Sequence, residues 1–258
     1  MNSHIFLKQY GERRTGTNFL SSLISANFEN ATVLMHVLGD KHSPPVDLQI
    51  GADDDALQWV HDRTWAAPAE STNLRDQGQL EYLQKIAGPL LEAMRCGRLG
   101  FLLSVKDPYA WIGSLYRFAG VGSHHRNDQE LRNWMAPLCR RFNDSHRAWL
   151  RLAEENPQNA KIIRYEDLLT DAETILAELA TTFQLVRRGV VVTSIAGTIS
   201  PLHWDQHQRQ ASRWEFAPGY YLNRDYLKYL PPVMRDGITD LVDWELMERF
   251  GYRFIEKI

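Results

Sequence analysis

The sequence has little of what marks several common classes of protein. It contains two cysteines, Cys96 and Cys139, which are too few for a disulfide framework and have no cysteine partner at metal-ligand spacing. No apolar run approaches the roughly 20 residues that span a bilayer, and the N-terminus lacks the charged and apolar regions of a secretory signal. The formal net charge of -3 gives no reason to expect a nucleic-acid partner. We therefore expect a cytoplasmic protein with no membrane insertion and no nucleic-acid partner.

The 258 residues are enough to bury a substantial core, and the composition, 44% hydrophobic and 24% charged, is ordinary for a globular protein. Predicted strands alternate with predicted helices along a single domain that spans residues 1–258. The strands are predicted at 5–7, 32–37, 99–105, 161–164 and 190–193, and the helices at 19–28, 80–95, from 109, 129–155, 165–184, around 226 and 234–250. This alternation favours a three-layer α/β fold, with a central, mainly parallel sheet flanked by helices.

A glycine-bounded loop between the first strand and the first helix is the most informative stretch. It reads Gly-Glu-Arg-Arg-Thr-Gly-Thr-Asn from Gly11 to Asn18. In such a loop, backbone N–H groups at the N-terminus of the helix converge on an anion. The two glycines have the spacing of the phosphate-binding P-loop, but Thr17 and Asn18 stand where that motif has its lysine and its Mg²⁺-binding hydroxyl. The loop holds Arg13 and Arg14 instead, and the pattern predicts a phosphate cradle that works without the usual metal ligand.

Two further strand ends bring polar residues to the same edge of the sheet, because such folds bind ligands where their parallel strands end. Lys106 follows the strand at 99–105, and Ser114 lies about two turns into the next helix, at roughly 3.6 residues per turn. This cation and this hydroxyl are spaced to hold a second, separate phosphate. In isolation they would more simply be a solvated strand end and a packing residue. Tyr165 follows the strand at 161–164 and reaches the same edge.

These motifs resemble those of the sulfotransferase superfamily, whose members use 3′-phosphoadenosine 5′-phosphosulfate (PAPS) as sulfuryl donor. The family has a 5′-phosphosulfate loop, a 3′-phosphate motif with a serine eight residues after its first basic residue, and a later Tyr-Glu-Asp-Leu motif. The similar segments here are 14–18, 106–108 with Ser114, and 165–168. Lys106 replaces the usual arginine, which keeps the charge but loses the bidentate fork. The resemblance is weak at 45–98 and at 187–215.

The resemblance implies a P-loop-like sulfotransferase fold and a metal-independent, in-line transfer of a sulfuryl group from PAPS to an acceptor hydroxyl or amine. It implies that Arg14 binds the 5′-phosphate and the bridging oxygen, while Lys106 and Ser114 bind the 3′-phosphate. The other donor contacts that it implies are Arg13, Thr15, Gly16, Thr17, Asn18, Phe19, Tyr165 and, in a C-terminal basic stretch, Arg209 and Arg213. The acceptor is expected to be a small molecule or a glycan.

Transfer to a hydroxyl needs a general base close to the acceptor. The family supplies a histidine or a glutamate for this role, often from the strand that follows the loop helix. His42 is the first candidate because it follows the exit of the strand at 32–37, and Lys41 is expected to support the sulfonyl oxygens. His36 lies inside the apolar run and ranks lower as a candidate base, because a histidine in an apolar strand is expected to be a core residue. Glu12 precedes the cradle and is either a third candidate or the partner of an arginine.

Two other functions stay open on the sequence. A P-loop kinase or nucleotide hydrolase would use Asp107 as a metal-holding acid with Mg-ATP, although Thr17 and Asn18 argue against it. A non-catalytic nucleotide-binding module would bind PAPS without transferring its sulfuryl group. In the sulfotransferase interpretation, residues 45–98 shape the acceptor pocket and residues 187–215 close over the donor.

Overall fold

A computed structural model describes residues 4–51, 54–65, 77–118, 127–193 and 218–256 of the chain. At the centre of this described part is a four-stranded, all-parallel sheet. Its strands are β1 (Ile5–Gly11), β2 (Ala31–Leu34), β3 (Leu99–Val105) and β4 (Ala160–Arg164), in the spatial order β2-β1-β3-β4. Every residue of β1 and β3 is buried, as is typical of strands covered on both faces. The prediction of an α/β fold with a mainly parallel sheet is confirmed.

Helices connect the strands and cover the sheet. They are α1 (Thr17–Asn27), α2 (Ala56–Trp65), α3 (Gln77–Arg95), α4 (Pro108–Phe118), α5 (Asp128–Glu155), α6 (Tyr165–Thr170), α7 (Ala172–Phe183), α8 (Pro218–Leu222), α9 (Pro232–Leu241) and α10 (Trp244–Arg249), with a 3-10 helix at Asp225–Tyr229. Within the described ranges, none of these helices combines the length and the apolar character that a membrane crossing requires.

The apolar side chains form three clusters that define the layers. On one face of the sheet, Phe6 of β1 and Phe101 of β3 pack with apolar residues of α2 and α3. On the other face, Leu7 and Leu102 of the same strands pack with α1 and α7. Neighbouring residues of a strand point to opposite faces, which explains this division. The third cluster continues from Val105, at the end of β3, into α4, α5, α9 and α10.

The carboxyl ends of β1 and β3 form the edge that carries the polar motifs. β1 pairs with β2 on one side and with β3 on the other. The connection after β2 therefore crosses over β1, and the order in which strands are added changes from one side of β1 to the other. Gly11 at the end of β1 pairs with Ser104 of β3. A reversal of this kind opens a crevice at the strand ends, where open α/β sheets bind ligands. The glycine loop and Lys106 therefore leave the sheet from neighbouring strands.

The strand predicted at 32–37 is shorter than expected. It corresponds to β2, and the backbone leaves the sheet after Leu34. Leu38 and Gly39 have left-handed φ angles of 60° and 85°, which no regular strand accommodates. The buried ammonium group of Lys8 on β1 stabilises this bend, because its Nζ donates to the carbonyl oxygen of Gly39 at 2.6 Å. Part of the apolar run therefore reaches the core from a turn.

One other predicted strand and two predicted helices differ from the structure, because side chains there form hydrogen bonds with the backbone that a strand or a continuous helix would not contain. No strand forms at 190–193 in the described chain, since the side-chain amide of Asn27 binds both the N–H and the C=O of Val192. The helix predicted at 165–184 is divided at Asp171, which caps α7 by accepting from a backbone N–H. Asp243 caps α10 in the same way and divides the helix predicted at 234–250.

We predict that Gly100→Ala destabilises the sheet. A Cβ on Gly100 would lie 2.5 and 2.7 Å from ring atoms of Phe183, and 2.8 Å from Cδ2 of Leu7. Overpacking of this kind costs about 1–3 kcal/mol, which urea denaturation would measure as a lower free energy of unfolding. Gly189→Ala is the matched control, because a Cβ there meets no described atom within 4 Å. Equal stability of the two variants would contradict this packing.

Candidate active site

The loop between β1 and α1 has the backbone shape of an anion cradle. Arg14 and Gly16 have left-handed φ angles of 72° and 82°. Left-handed residues in a loop turn successive N–H groups towards one side, which creates a concave nest for an anion. Gly16 is also the N-cap of α1, so the positive end of the helix dipole faces the loop without a capping side chain. The strained conformation of Arg14 is of the kind that clusters at functional sites.

Buried hydrogen bonds hold this loop in place. The carbonyl oxygen of Glu12 accepts from the N–H and from the hydroxyl of Thr15, at 3.2 and 2.7 Å. Gln9 of β1 is fully buried, and its side-chain amide donates to the carbonyl oxygen of Thr17 at 3.0 Å. The loop is therefore bound to β1 at its beginning and at the first residue of α1.

The segment 35–42 lies against the end of β1 and brings two predicted catalytic residues to the loop. Gly11 uses both of its backbone groups in this contact. Its N–H donates to the carbonyl oxygen of Lys41 at 2.9 Å, and its carbonyl oxygen accepts from Nδ1 of His42 at 2.6 Å. The ammonium group of Lys41 donates to Oδ1 of Asn18, at the start of α1. Lys41 and His42 are therefore fixed beside the glycine loop.

The hydrogen bond to Gly11 decides the tautomer of His42. A carbonyl oxygen only accepts, so Nδ1 carries the proton and Nε2 carries the lone pair. Burial lowers the pKa of His42 to about 4; Lys41 acts in the same direction, and the bond to Gly11 opposes it. At neutral pH the imidazole is uncharged, and Nε2 is able to accept a proton. Burial also lowers the pKa of Lys41, to about 8.

The two other candidate bases have partners of their own. His36 was predicted to be a core histidine, and that prediction is wrong. It is exposed, because the backbone has left the sheet after Leu34, and its Nδ1 lies 3.0 Å from Oδ2 of Asp40. Glu12 is fully buried and accepts a hydrogen bond from Arg141 of α5 at 3.0 Å. Burial raises the pKa of Glu12, and Arg141 opposes that shift.

Lys106 and Ser114 contact each other at the end of β3. Nζ of Lys106 donates to Oγ of Ser114 at 3.2 Å, and it lies 3.4 Å from the carbonyl oxygen of Arg14 in the loop. Lys106 is only 2% exposed. Burial lowers its pKa to about 7, against the effect of the nearby carboxylate of Glu166. The predicted second phosphate site is therefore adjacent to the loop, but it is enclosed by protein.

Asp107, the neighbour of Lys106, caps the next helix. Its Oδ1 accepts from the N–H groups of Tyr109 and Ala110 at 2.9 and 3.1 Å. Its own N–H donates to Oε1 of Glu166, whose Oε2 accepts from the hydroxyl of Tyr252 at 2.7 Å. The Tyr-Glu-Asp-Leu motif therefore ties the end of β3 to the C-terminal part of the chain.

Two tyrosine rings enclose the ammonium group of Lys106. Its Nζ lies 4.4 Å from the ring centroid of Tyr165 and 3.9 Å from that of Tyr221, within the range of cation–π contacts. Tyr165 begins α6 and packs on the loop, because a Cβ on Gly16 would lie 2.4 Å from its ring. Tyr221 belongs to α8, and its hydroxyl oxygen lies 3.4 Å from Oγ of Ser114.

The remaining residues of the predicted site are less closely packed. Arg13 and Arg14 are both exposed, and the guanidinium carbon of Arg14 lies 4.8 Å from the ring centroid of Phe118. Phe19 is partly buried against the cluster that contains α1. Arg209 and Arg213 lie outside the residues that the structure describes, together with most of the segment 187–215.

The glycine loop, the segment 35–42 and the Lys106–Ser114 pair meet at one edge of the sheet. Comparison of the chain with family models and with curated proteins assigns it to no family. Neither a family model nor a curated protein matches the chain. Its function is therefore inferred from its own residues and their arrangement.

Several residues of the site were missed at the sequence level. Arg141 lies 129 positions from its partner Glu12, in the middle of a long helix, and nothing local indicates the pairing. Tyr221 follows Pro-Gly-Tyr, a sequence with no typical binding motif. Lys8 did leave a signal, because a lone lysine inside the apolar run of β1 needs either an exposed edge or a buried partner.

We predict that His42 stays uncharged down to about pH 4 in the folded protein. The titration midpoint and the Nδ1–H tautomer are measurable by nitrogen-edited NMR of the imidazole, with His42→Gln to assign the signals. A midpoint near the ordinary value of 6.5 would show that the ring is solvated, and an Nε2–H tautomer would show that it is not held by Gly11.

The same shift predicts a pH dependence of stability. Because the folded pKa lies below 6.5, the unfolded chain binds more protons between pH 6.5 and 4. The contribution of the uncharged His42 to the free energy of unfolding is complete above pH 6.5 and is lost as the pH falls towards 4. The free energy of unfolding, measured in urea at pH 7 and pH 4.5, should fall less in His42→Gln than in the parent protein. An equal fall in both would contradict the assignment.

Proposed function

We propose that the protein is a cytoplasmic sulfotransferase with a P-loop-like fold, which moves a sulfuryl group from PAPS to an acceptor hydroxyl or amine. The observation that carries the proposal is the juxtaposition of two candidate anion sites at the ends of neighbouring parallel strands. One is the glycine loop after β1, and the other is the Lys106–Ser114 pair after β3, 3.4 Å from the carbonyl oxygen of Arg14. A donor with phosphates at both the 5′ and the 3′ positions requires two such sites.

In this proposal the loop binds the 5′-phosphosulfate. The left-handed Arg14 and Gly16 turn backbone N–H groups inward, and the N-terminus of α1 adds its dipole. Lys106 and Ser114 bind the 3′-phosphate through charge-assisted hydrogen bonds. Tyr165 lies between the two sites, against Gly16 and Lys106, where it contacts the nucleoside.

The chemistry uses groups that the fold already orients. Nε2 of His42 accepts the proton of the acceptor hydroxyl or amine while that oxygen or nitrogen forms a bond to sulfur. The bond from sulfur to the bridging oxygen breaks, and the electron pair leaves with adenosine 3′,5′-bisphosphate. Arg14 and Lys41 stabilise the negative charge on the bridging and sulfonyl oxygens, as preorganised cations do in such transition states. No metal is needed for this step.

Two observations favour this reaction over a kinase or a nucleotide hydrolase. Asn18 occupies the position of the Mg²⁺-binding hydroxyl, and its Oδ1 accepts from Lys41. Asp107, the acid that a kinase would need for its metal, accepts two backbone N–H groups at the start of α4. The acceptor that we propose is a small molecule or a glycan.

We predict that adenosine 3′,5′-bisphosphate binds without a metal and more tightly than ATP with Mg²⁺, as measured by isothermal titration calorimetry. Lys106→Met should weaken this binding by roughly 10- to 100-fold, since a hydrogen bond to a charged group contributes about 1.5–3 kcal/mol. It should leave the affinity for adenosine 5′-monophosphate unchanged. The exposed Lys85→Met is the matched control. Tighter or Mg²⁺-dependent binding of ATP would overturn the donor assignment.

We also predict that His42→Ala retains donor binding and loses catalysis. The probes are PAPS with 2-naphthol, tyramine or glucosamine, and the measurement is chromatographic release of adenosine 3′,5′-bisphosphate. Loss of a general base lowers turnover by about 10²- to 10⁴-fold. The exposed His36→Ala should keep the parent rate. Full turnover in His42→Ala with intact donor affinity would remove His42 from the mechanism.

A further inference from the structure

Lys106 is enclosed so completely that a phosphate has no direct access to it. The side chain is 2% exposed, and its ammonium group lies between the rings of Tyr165 and Tyr221, at 4.4 and 3.9 Å from their centroids. The hydroxyl of Tyr221 reaches Ser114 at 3.4 Å. The ring of Tyr221 therefore contacts both members of the second phosphate site, on the side from which α8 approaches.

The two rings differ in how firmly they are held. Tyr165 is 7% exposed and packs directly on Gly16 at the loop, so its displacement would disturb the cradle. Tyr221 is only partly buried and lies on α8, a helix of five residues. Its ring meets other tyrosines at centroid distances of 5.1 to 6.4 Å, edge-on or tilted.

The chain that follows α8 is anchored beside Lys106. Tyr226 of the 3-10 helix is 2% exposed, and Nη2 of Arg224 lies 3.9 Å from Oδ2 of Asp107. These contacts hold residues 224–226 at the end of β3. The ring of Tyr221, one turn earlier, makes the cation–π contact. The ring of Tyr221 is therefore not itself one of the anchoring contacts.

We propose that Tyr221 is an aromatic cover on Lys106 and Ser114 of the donor site, which a ligand's second phosphate has to displace. The assignment rests on the proposed function. A phosphate exchanges the cation–π contact for charge-assisted hydrogen bonds to Lys106 and Ser114, which are the stronger interaction. A nucleotide without a 3′-phosphate makes no such hydrogen bonds, so it binds at the glycine loop alone and the ring of Tyr221 stays over Lys106 and Ser114.

The first test needs no nucleotide. Competitive acetylation with acetic anhydride, read by mass spectrometry, reports how accessible each lysine amine is. In the parent protein Lys106 should be protected, and in Tyr221→Ala its acetylation should become several-fold faster, with the exposed Lys85 as the internal reference. Tyr221→Phe keeps the ring and should keep the protection. Tyr229→Ala, which removes a neighbouring exposed ring, should also leave Lys106 protected.

The second test measures binding by calorimetry and stopped flow. Tyr221→Ala should bind adenosine 3′,5′-bisphosphate about tenfold more tightly, because no cation–π contact has to be broken. Its affinity for adenosine 5′-monophosphate should stay unchanged. In the parent protein, the observed association rate should level off at high ligand concentration, because displacement of the ring limits it. In Tyr221→Ala it should rise linearly.

The outcomes separate this inference from the proposed function. If Lys106 is already reactive in the parent protein, or stays protected in Tyr221→Ala, the cover does not exist. If Tyr221→Ala weakens the binding of adenosine 3′,5′-bisphosphate, the ring supports the ligand and the inference is wrong. If acetylation behaves as predicted but neither protein binds this nucleotide, the cover on Lys106 stands and the choice of PAPS as donor is wrong.

Discussion

The contact between Gly11 and residues 41–42 is the constraint on which the candidate site depends. Both backbone groups of Gly11 are used in it, and a Cβ at this position would lie 2.8 Å from atoms of Ser104 and Thr17. The absence of a side chain therefore lets β1, β3, α1 and the segment 35–42 approach one another at a single point. The imidazole of His42 and the ammonium group of Lys41 reach the loop only because of this approach.

Polar side chains, buried at Lys8 and Gln9 and partly buried at Glu166, extend that constraint through the sheet. Lys8 donates to the bend before Lys41, Gln9 bridges β1 to the first residue of α1, and Glu166 joins the end of β3 to Tyr252. A polar group without a partner in the interior would cost several kcal/mol. The chain around each of these side chains is therefore restricted to arrangements that supply a hydrogen-bond partner. This cost also explains the lowered pKa values near the site, since burial disfavours the charged form of His42. Rigidity and altered proton affinity have the same origin.

Much of the framework was predictable because its signals are local. The apolar run of β3 and the glycines around the cradle each specify conformation over a few residues, and their order along the chain indicates a parallel sheet. The failures are equally specific. The backbone leaves the sheet after Leu34, three residues before the predicted end of the strand, and residues 35–37 carry no signal for this early end. His36 was misplaced with it. The division of two predicted helices depended on Asp171 and Asp243, which read equally well as helical residues.

The sequence by itself determined which groups are available at the strand ends: a glycine loop with two arginines, a lysine with a serine eight positions later, and a tyrosine after β4. These groups are recognisable from the sequence because the strands and helices beside them follow from the pattern of neighbouring residues. Only the tertiary structure decided which groups meet. It paired Glu12 with Arg141, oriented His42 on Gly11 and placed the ring of Tyr221 over Lys106. These contacts join residues 31 to 129 positions apart, and close packing selects them among alternatives that the local sequence does not distinguish.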